Sequence, residues 1–187
     1  MTLKGFEPFR IGPLEGFSPA FSHLVCMMSQ ARGATLASVK DLTVPELDYR
    51  LDDRANSIGA LLAHIAATER WYQSYTFEKK PLEGRELLSL EAALDLGEKG
   101  RRQIRRNDLR HYLEDLRSVR EKTIREFRTR DDAWLMEERP FTRDAHANNF
   151  YLWYHVFEDE INHRGQISLI RKRIRTVPMA SGRPGED

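Results

Sequence analysis

Two stretches of the 187-residue chain place side chains capable of chemistry inside otherwise apolar patterns. In Ala60-Leu-Leu-Ala-His64-Ile-Ala-Ala-Thr-Glu69, a histidine stands within an apolar run, on the edge of a buried helical face. In Asn148-Asn-Phe-Tyr-Leu-Trp-Tyr-His155-Val-Phe-Glu-Asp159-Glu-Ile-Asn-His163-Arg-Gly-Gln166, an inward stripe reads 152, 156, 159, 163, 166 and 170. Leu152, Val156 and Ile170 suit a core, whereas Asp159, His163 and Gln166 do not. On a helix, Asp159 and His163 are about 40° apart around the axis and about 6 Å along it, so their side chains can converge. Two imidazoles and a carboxylate from facing helices would hold a divalent cation and leave positions on it open. The bland alternative is an Asp159–His163 ion pair beside a satisfied core histidine at 64. His155, one further step of four along the same helix, flanks this face.

Those residues need long helices to position them, and the chain is built for helices. Gly and Pro crowd the first 19 residues and the stretch after Val177, with few breakers and little β-branched alternation between. The reading is an all-α four-helix bundle over 18–175, with an irregular N-terminal arm over 1–17 and a flexible tail over 176–187. Ser18 caps the first helix, with Pro19 at its first position and Phe21, Leu24, Val25, Met28, Leu36 and Val39 as its face. Thr43 and Glu46 form a capping box for a short turn of helix, and 48–55 reads as polar and extended. Asn56 or Ser57 caps the second helix, which carries His64 and ends before Pro81. A weaker helix covers about 90–100. Asp108 caps the third long helix, a loop spans about 130–147, and Asn148 or Asn149 caps the fourth, which runs to about Arg175.

Composition removes several classes of function. One Cys cannot form an internal bridge, and a net charge of +1 gives no global attraction to nucleic acid or an anionic membrane. No apolar run is long enough to span a bilayer, and the N-terminal sequence lacks the apolar region of a signal peptide, so a cytoplasmic location is expected. The basic runs at 101–106 and 171–175 are read as helix-end and balanced charge rather than phosphate contacts. Cys26, beside Val25 and Met27, is read as a packing residue. Glu69, Glu158 and Glu160 are candidates to orient a ligand, set against the usual solvated place of charged residues on helices. No P-loop, GxGxxG, CxxC or GxSxG pattern occurs.

NSIGALLAHIAATERWY at 56–72, followed by YHVFEDEINHRGQISLIRKR at 154–173, resembles the DinB/YfiT-like superfamily. The resemblance spans roughly 18–175, and HRGQI at 163–167 is its most specific part. It implies a four-helix bundle, often dimeric, whose members bind zinc or nickel through three histidines; some use low-molecular-weight thiols as S-transferases. On that pattern His64 and His163 match ligands, while Asp159 stands where the family more often has His, and His155 is the competing substitute. Arg164, next to His163, is read either as a partner for an anionic thiol or as a surface or helix-capping arginine. The resemblance thus implies a metal-dependent thiol S-transferase or hydrolase acting on small electrophiles. The rival reading is a metal-free dimeric bundle serving as an interaction module, supported by the aromatic start of the fourth helix (Phe150, Tyr151, Trp153, Tyr154), which exceeds the needs of one core stripe.

Overall fold

A computed structural model describes residues 3–80 and 82–176, so all but the first residue of the expected tail lies outside the described residues. Four long helices dominate: α1 (Pro19–Ser38), α3 (Ile58–Thr76), α6 (Leu109–Phe127) and α8 (Asn149–Thr176). Shorter helices α2 (Val44–Asp48), α4 (Gly84–Asp95), α5 (Gly97–Gln103) and α7 (Asp132–Met136) fill the connections. A hairpin of β1 (Glu138–Pro140) and β2 (His146–Asn148) precedes α8, with Arg139 opposite Ala147 in its antiparallel register. The all-α reading is thereby met.

The helix starts follow capping chemistry. Ser57 Oγ accepts from Ala60 N–H, Asp108 from His111 N–H, and Asn148 Oδ1 from Tyr151 N–H. Thr43 N–H donates to Glu46 Oε2 at 2.7 Å, the reciprocal half of the expected capping box. Ser18 holds the N-cap position of α1 but gives its hydroxyl to the Asp132 carboxylate, which also accepts from Ala20 N–H. The cap of α1 is thus supplied by α7, a distant element that sequence alone does not reveal.

Three local expectations need correction. The single weak helix at 90–100 is two helices, parted where Leu96 and Gly97 both adopt positive φ. The 130–147 loop contains α7 and the hairpin, because Asp131 caps Trp134 N–H and the Trp134 ring lies 6.0 Å from Phe21 and 5.7 Å from Phe77. The 48–55 segment is a turn rather than extended: Asp52 accepts from Arg54 and Ala55 N–H.

Helix directions are fixed by pairs of contacts. Arg32 meets Glu160 and Ser38 meets Arg171, so α1 and α8 run parallel. Gly59 lies under Tyr112, and Phe77 packs 5.8 Å from Phe127, so α3 and α6 also run parallel. His64 facing His163 and Phe77 stacked on Trp153 set α3 antiparallel to α8. In chain order the long helices run up, down, down, up, and around the bundle the sequence is α1, α8, α3, α6. A cleft of about 690 Å³ separates α1 from α6. Leu36 faces that cleft and is 39% exposed, where its helical spacing had placed it in the core.

Two apolar clusters fill the bundle. One gathers Phe21, Phe127, Leu152 and Trp153 with Leu14 of the arm, and Cys26 packs there as expected. The other gathers Ile58, Leu61, Tyr112, Leu116, Ile167 and Ile170. Gln166 is exposed and Ile167 takes the inward place, because the drift of a 3.6-residue period carries position 167 to the core. At Gly59 an added Cβ would lie 2.5 Å from Tyr112 Oη. Gly59→Ala is therefore expected to destabilise the protein by about 1–3 kcal/mol through overpacking, read as a lowered urea midpoint. An unchanged midpoint would show that the phenol moves aside without penalty.

Between the two apolar clusters lies a layer of charge. Arg32 of α1 donates to Glu160 at 2.8 Å and to Glu69 at 3.1 Å; Arg120 of α6 donates to Glu69 at 2.7 Å and to Glu160 at 3.3 Å. Both glutamates are fully buried. Thr123 donates to Glu69, and the spare Nη1 groups reach the Leu116 and Met28 carbonyls. Each long helix contributes one member. Of the two alternatives weighed for Glu69 and Glu160, a ligand-orienting role and a solvated helix surface, neither describes them: both are buried, where the Arg32 and Arg120 guanidiniums neutralise them.

Candidate metal centre

His64 reaches the outer seam between α3 and α8 from within the apolar run that holds α3 in place. Its Nδ1–H donates to the Ala93 carbonyl of α4 at 2.8 Å, an assignment that leaves a lone pair on Nε2. That Nε2 lies 3.5 Å from Asp159 Oδ2 and 3.3 Å from Thr68 Oγ1. On α8, one turn on from Asp159, His163 Nε2 lies 3.3 Å from Asp159 Oδ1. The two imidazoles meet edge to face with centroids 4.6 Å apart. Ligand atoms of His64, Asp159 and His163 all lie within 4.8 Å of one another, and each side chain is half-buried.

His155 does not join them. Its Nδ1 pairs with Glu158 Oε2 at 3.1 Å, and its ring lies against Tyr72 and Tyr151. Glu69 and Glu160 turn into the ionic layer instead of supporting the cluster, and Arg164 is half-buried beside His163. Thr68 is the cluster neighbour that sequence reasoning missed; the signal was its spacing of four from His64.

The donor set fits a cation. An imidazole lone pair facing a carboxylate oxygen is repulsive unless a proton or a positive ion lies between them. Asp159 Oδ2 and His163 Nδ1 are buried without a hydrogen-bond partner among the described residues. Burial opposes ionisation of Asp159, yet the His163 and His64 imidazoles beside it outweigh that and hold the carboxyl well below the usual carboxylate range. For His64, burial disfavours charge, but Asp159 and the Ala93 carbonyl prevail and raise its pKa.

These shifts give the metal-free protein a defined pH response. A raised histidine pKa contributes stability that is full below the unfolded value of about 6.5 and lost as pH rises through the folded value. The metal-free protein should therefore lose stability as pH rises from about 6 toward the raised His64 value. Denaturant melts between about pH 5.5 and 8, in chelator, measure this, and a His64→Gln variant should flatten the slope. An equal slope in that variant would assign the dependence elsewhere.

The architecture and the seam together define a class: an up-down-down-up helical bundle carrying a His–Asp–His cluster between its second and fourth long helices. Residues 23–176 match the family described as mycothiol-S-transferase, and the chain belongs to that family, within the DinB/YfiT-like group. Two solved structures share the fold. One is an uncharacterized protein from Clostridium difficile 630, at 13% identity and a TM-score of 0.59, covering 83% of this chain and 95% of that one. The other is a protein from Streptococcus pneumoniae, at 12% identity and a TM-score of 0.61, covering 94% of this chain and 95% of that one. No curated protein matches the chain. Among the described residues no helix is long and apolar enough to cross a membrane.

Proposed function

We propose that the protein transfers a low-molecular-weight thiol to small electrophiles at a divalent cation held by His64, Asp159 and His163. The observation that carries this is the convergence of two imidazole nitrogens and an ionised carboxylate on one point, in a chain of the mycothiol-S-transferase family. A mixed N,N,O donor set suits zinc or nickel. Such a cation supplies one piece of chemistry, lowering the pKa of a thiol that binds it so that thiolate forms near neutrality.

The chain's own groups do the rest. The Ala93 carbonyl fixes the His64 tautomer and ring plane. Asp159 stays ionised throughout the working pH range. In the transfer, the thiol proton leaves to water, a sulfur lone pair forms the S–C bond, and the leaving group departs with the electron pair of the bond it breaks. The family favours this over the hydrolase variant, in which water takes the place of the thiol.

The test measures conjugation of a model electrophile by protein purified without chelating tags, with its metal content by elemental analysis. Near-stoichiometric zinc or nickel and thiol-dependent product formation, lost in His163→Ala, are expected. Turnover that ignores the thiol, or survives in that variant, overturns the reading.

A second reading concerns assembly. Tyr154, Ile161 and Leu169 are 43%, 39% and 60% exposed and recur along one side of α8, with the open face of Gly165 between them. We propose that this stripe pairs two copies into a homodimer, the arrangement that the metal-free interaction module would also need. Light scattering at micromolar concentration should give twice the chain mass, and Leu169→Glu should return the monomer. A monomeric wild type rejects the dimer.

A further inference from the structure

The seam that holds the cluster does not end there. Because α3 and α8 are antiparallel, residues spaced by four on each helix face one another in successive rungs. His64 lies against His163 at 4.6 Å, and two turns further on Tyr72 lies against His155 at 6.1 Å. Thr68 and Asp159 occupy the rung between, both within 3.5 Å of His64 Nε2. Beyond His155 comes Tyr151, its ring stacked on the imidazole at 6.4 Å with planes only 7° apart. Phe141 of the hairpin loop meets both, at 5.5 Å from Tyr151 and 6.2 Å from His155. On the α3 side Trp71 lies 4.8 Å from Tyr72 and 5.0 Å from Tyr75, whose hydroxyl donates to the Pro140 carbonyl and ties the hairpin to α3.

This assembly is unlike the aromatic core. Trp153 and Phe127 are fully buried, whereas Tyr151 is 45% exposed and the His155 side chain 39%, with Tyr72 beneath them at 6%. The rings form a buried floor and an open rim that begins at His155, one turn or about 6 Å along α8 from Asp159. A ring-lined seam of this kind binds flat π-systems by stacking and edge contact.

We infer that this seam seats the electrophile and selects a planar aromatic one, with Tyr72 as floor and Tyr151 and His155 as the stacking rim. The inference rests on the transferase reading and names its acceptor class. For an activated haloarene the thiol sulfur forms the new S–C bond, the carbon–halogen bond breaks, and halide leaves with the bonding pair. His155 thereby has a positioning role distinct from the cation.

Calorimetry compares two unreactive thioethers of N-acetylcysteine, one S-(2,4-dinitrophenyl) and one S-methyl, on metal-free and on zinc-loaded protein. The aryl thioether is expected to bind about fivefold to tenfold more tightly than the methyl one in both forms. Tyr151→Ala and His155→Leu should each erase most of that ratio without changing zinc affinity or the melting temperature. Tyr72→Phe, which keeps the ring, should preserve it. Equal affinity for the two thioethers, or an undiminished ratio in both rim variants, overturns the inference. Because the ratio is read without turnover, an intact ratio alongside failed conjugation overturns only the transferase reading.

Discussion

Glu160→Ala is expected to lower folding stability by about 3–5 kcal/mol. The loss does not come from an average ion pair. Glu160 is fully buried and accepts from both Arg32 and Arg120, so its removal leaves two largely buried positive charges sharing one carboxylate. Glu69 stands in the same position: burial opposes its ionisation, but Arg120 and Arg32 hold its pKa below the usual value. Its removal should cost a similar amount. A double-mutant cycle in urea on Arg32→Met and Glu160→Leu should show strong coupling, the pair costing well under the sum of the singles, because an apolar pair leaves no orphaned charge. A Glu160→Ala loss below about 1 kcal/mol would mean that water reaches the layer and screens it.

His163→Ala should weaken zinc or nickel binding by more than about 100-fold. Altering groups that merely orient a ligand costs about 10–100-fold, and a direct ligand should cost at least as much. Asp159→Ala should do the same, while Asp159→His should tighten binding by supplying a third imidazole, the softer donor that these metals favour. His155→Ala should leave affinity unchanged, since its ring nitrogen is paired with Glu158 away from the cluster. Competition with a chromophoric chelator at fixed pH measures all four variants. If His155→Ala abolishes binding and Asp159→Ala does not, the proposed ligand set is wrong.

Periodicity made the four long helices legible, because apolar spacing and capping residues agree at each of their starts except α1, where Asp132 takes over from Ser18. The break at Leu96 was not legible, since no rule of sequence favours a left-handed leucine. The cluster was readable as a spacing of four on one helix plus a lone histidine on another, and the fold brought those residues together. The ionic layer was not legible for an identifiable reason. Arg32, Glu69, Arg120 and Glu160 each stand at core spacing, with apolar neighbours three or four residues away (Met28, Ile65, Leu116 and Val156). Taken singly, a charged residue on a helix is most often solvated. Counted together, two positive and two negative residues on four inward stripes are the signature of a neutral buried layer.

The up-down-down-up order has a consequence for how the protein is made. α3 and α6 follow one another in the chain and pack in parallel, so they can begin to associate while synthesis continues. α8, the natural neighbour of both α1 and α3, arrives last of the four. At about 5–20 residues per second, the ribosome delivers His64 several seconds before Asp159 and His163. During that interval the growing chain carries only one of the cluster's three ligands, and its two buried-to-be arginines have Glu69 alone to balance them. Arrival of Glu160 neutralises the arginines within a turn of delivering the carboxylate of the cluster. Closure of the fold and assembly of the proposed metal centre are thus a single late event, so the ion would be drawn from the pool met by the finished protein rather than scavenged by a nascent one.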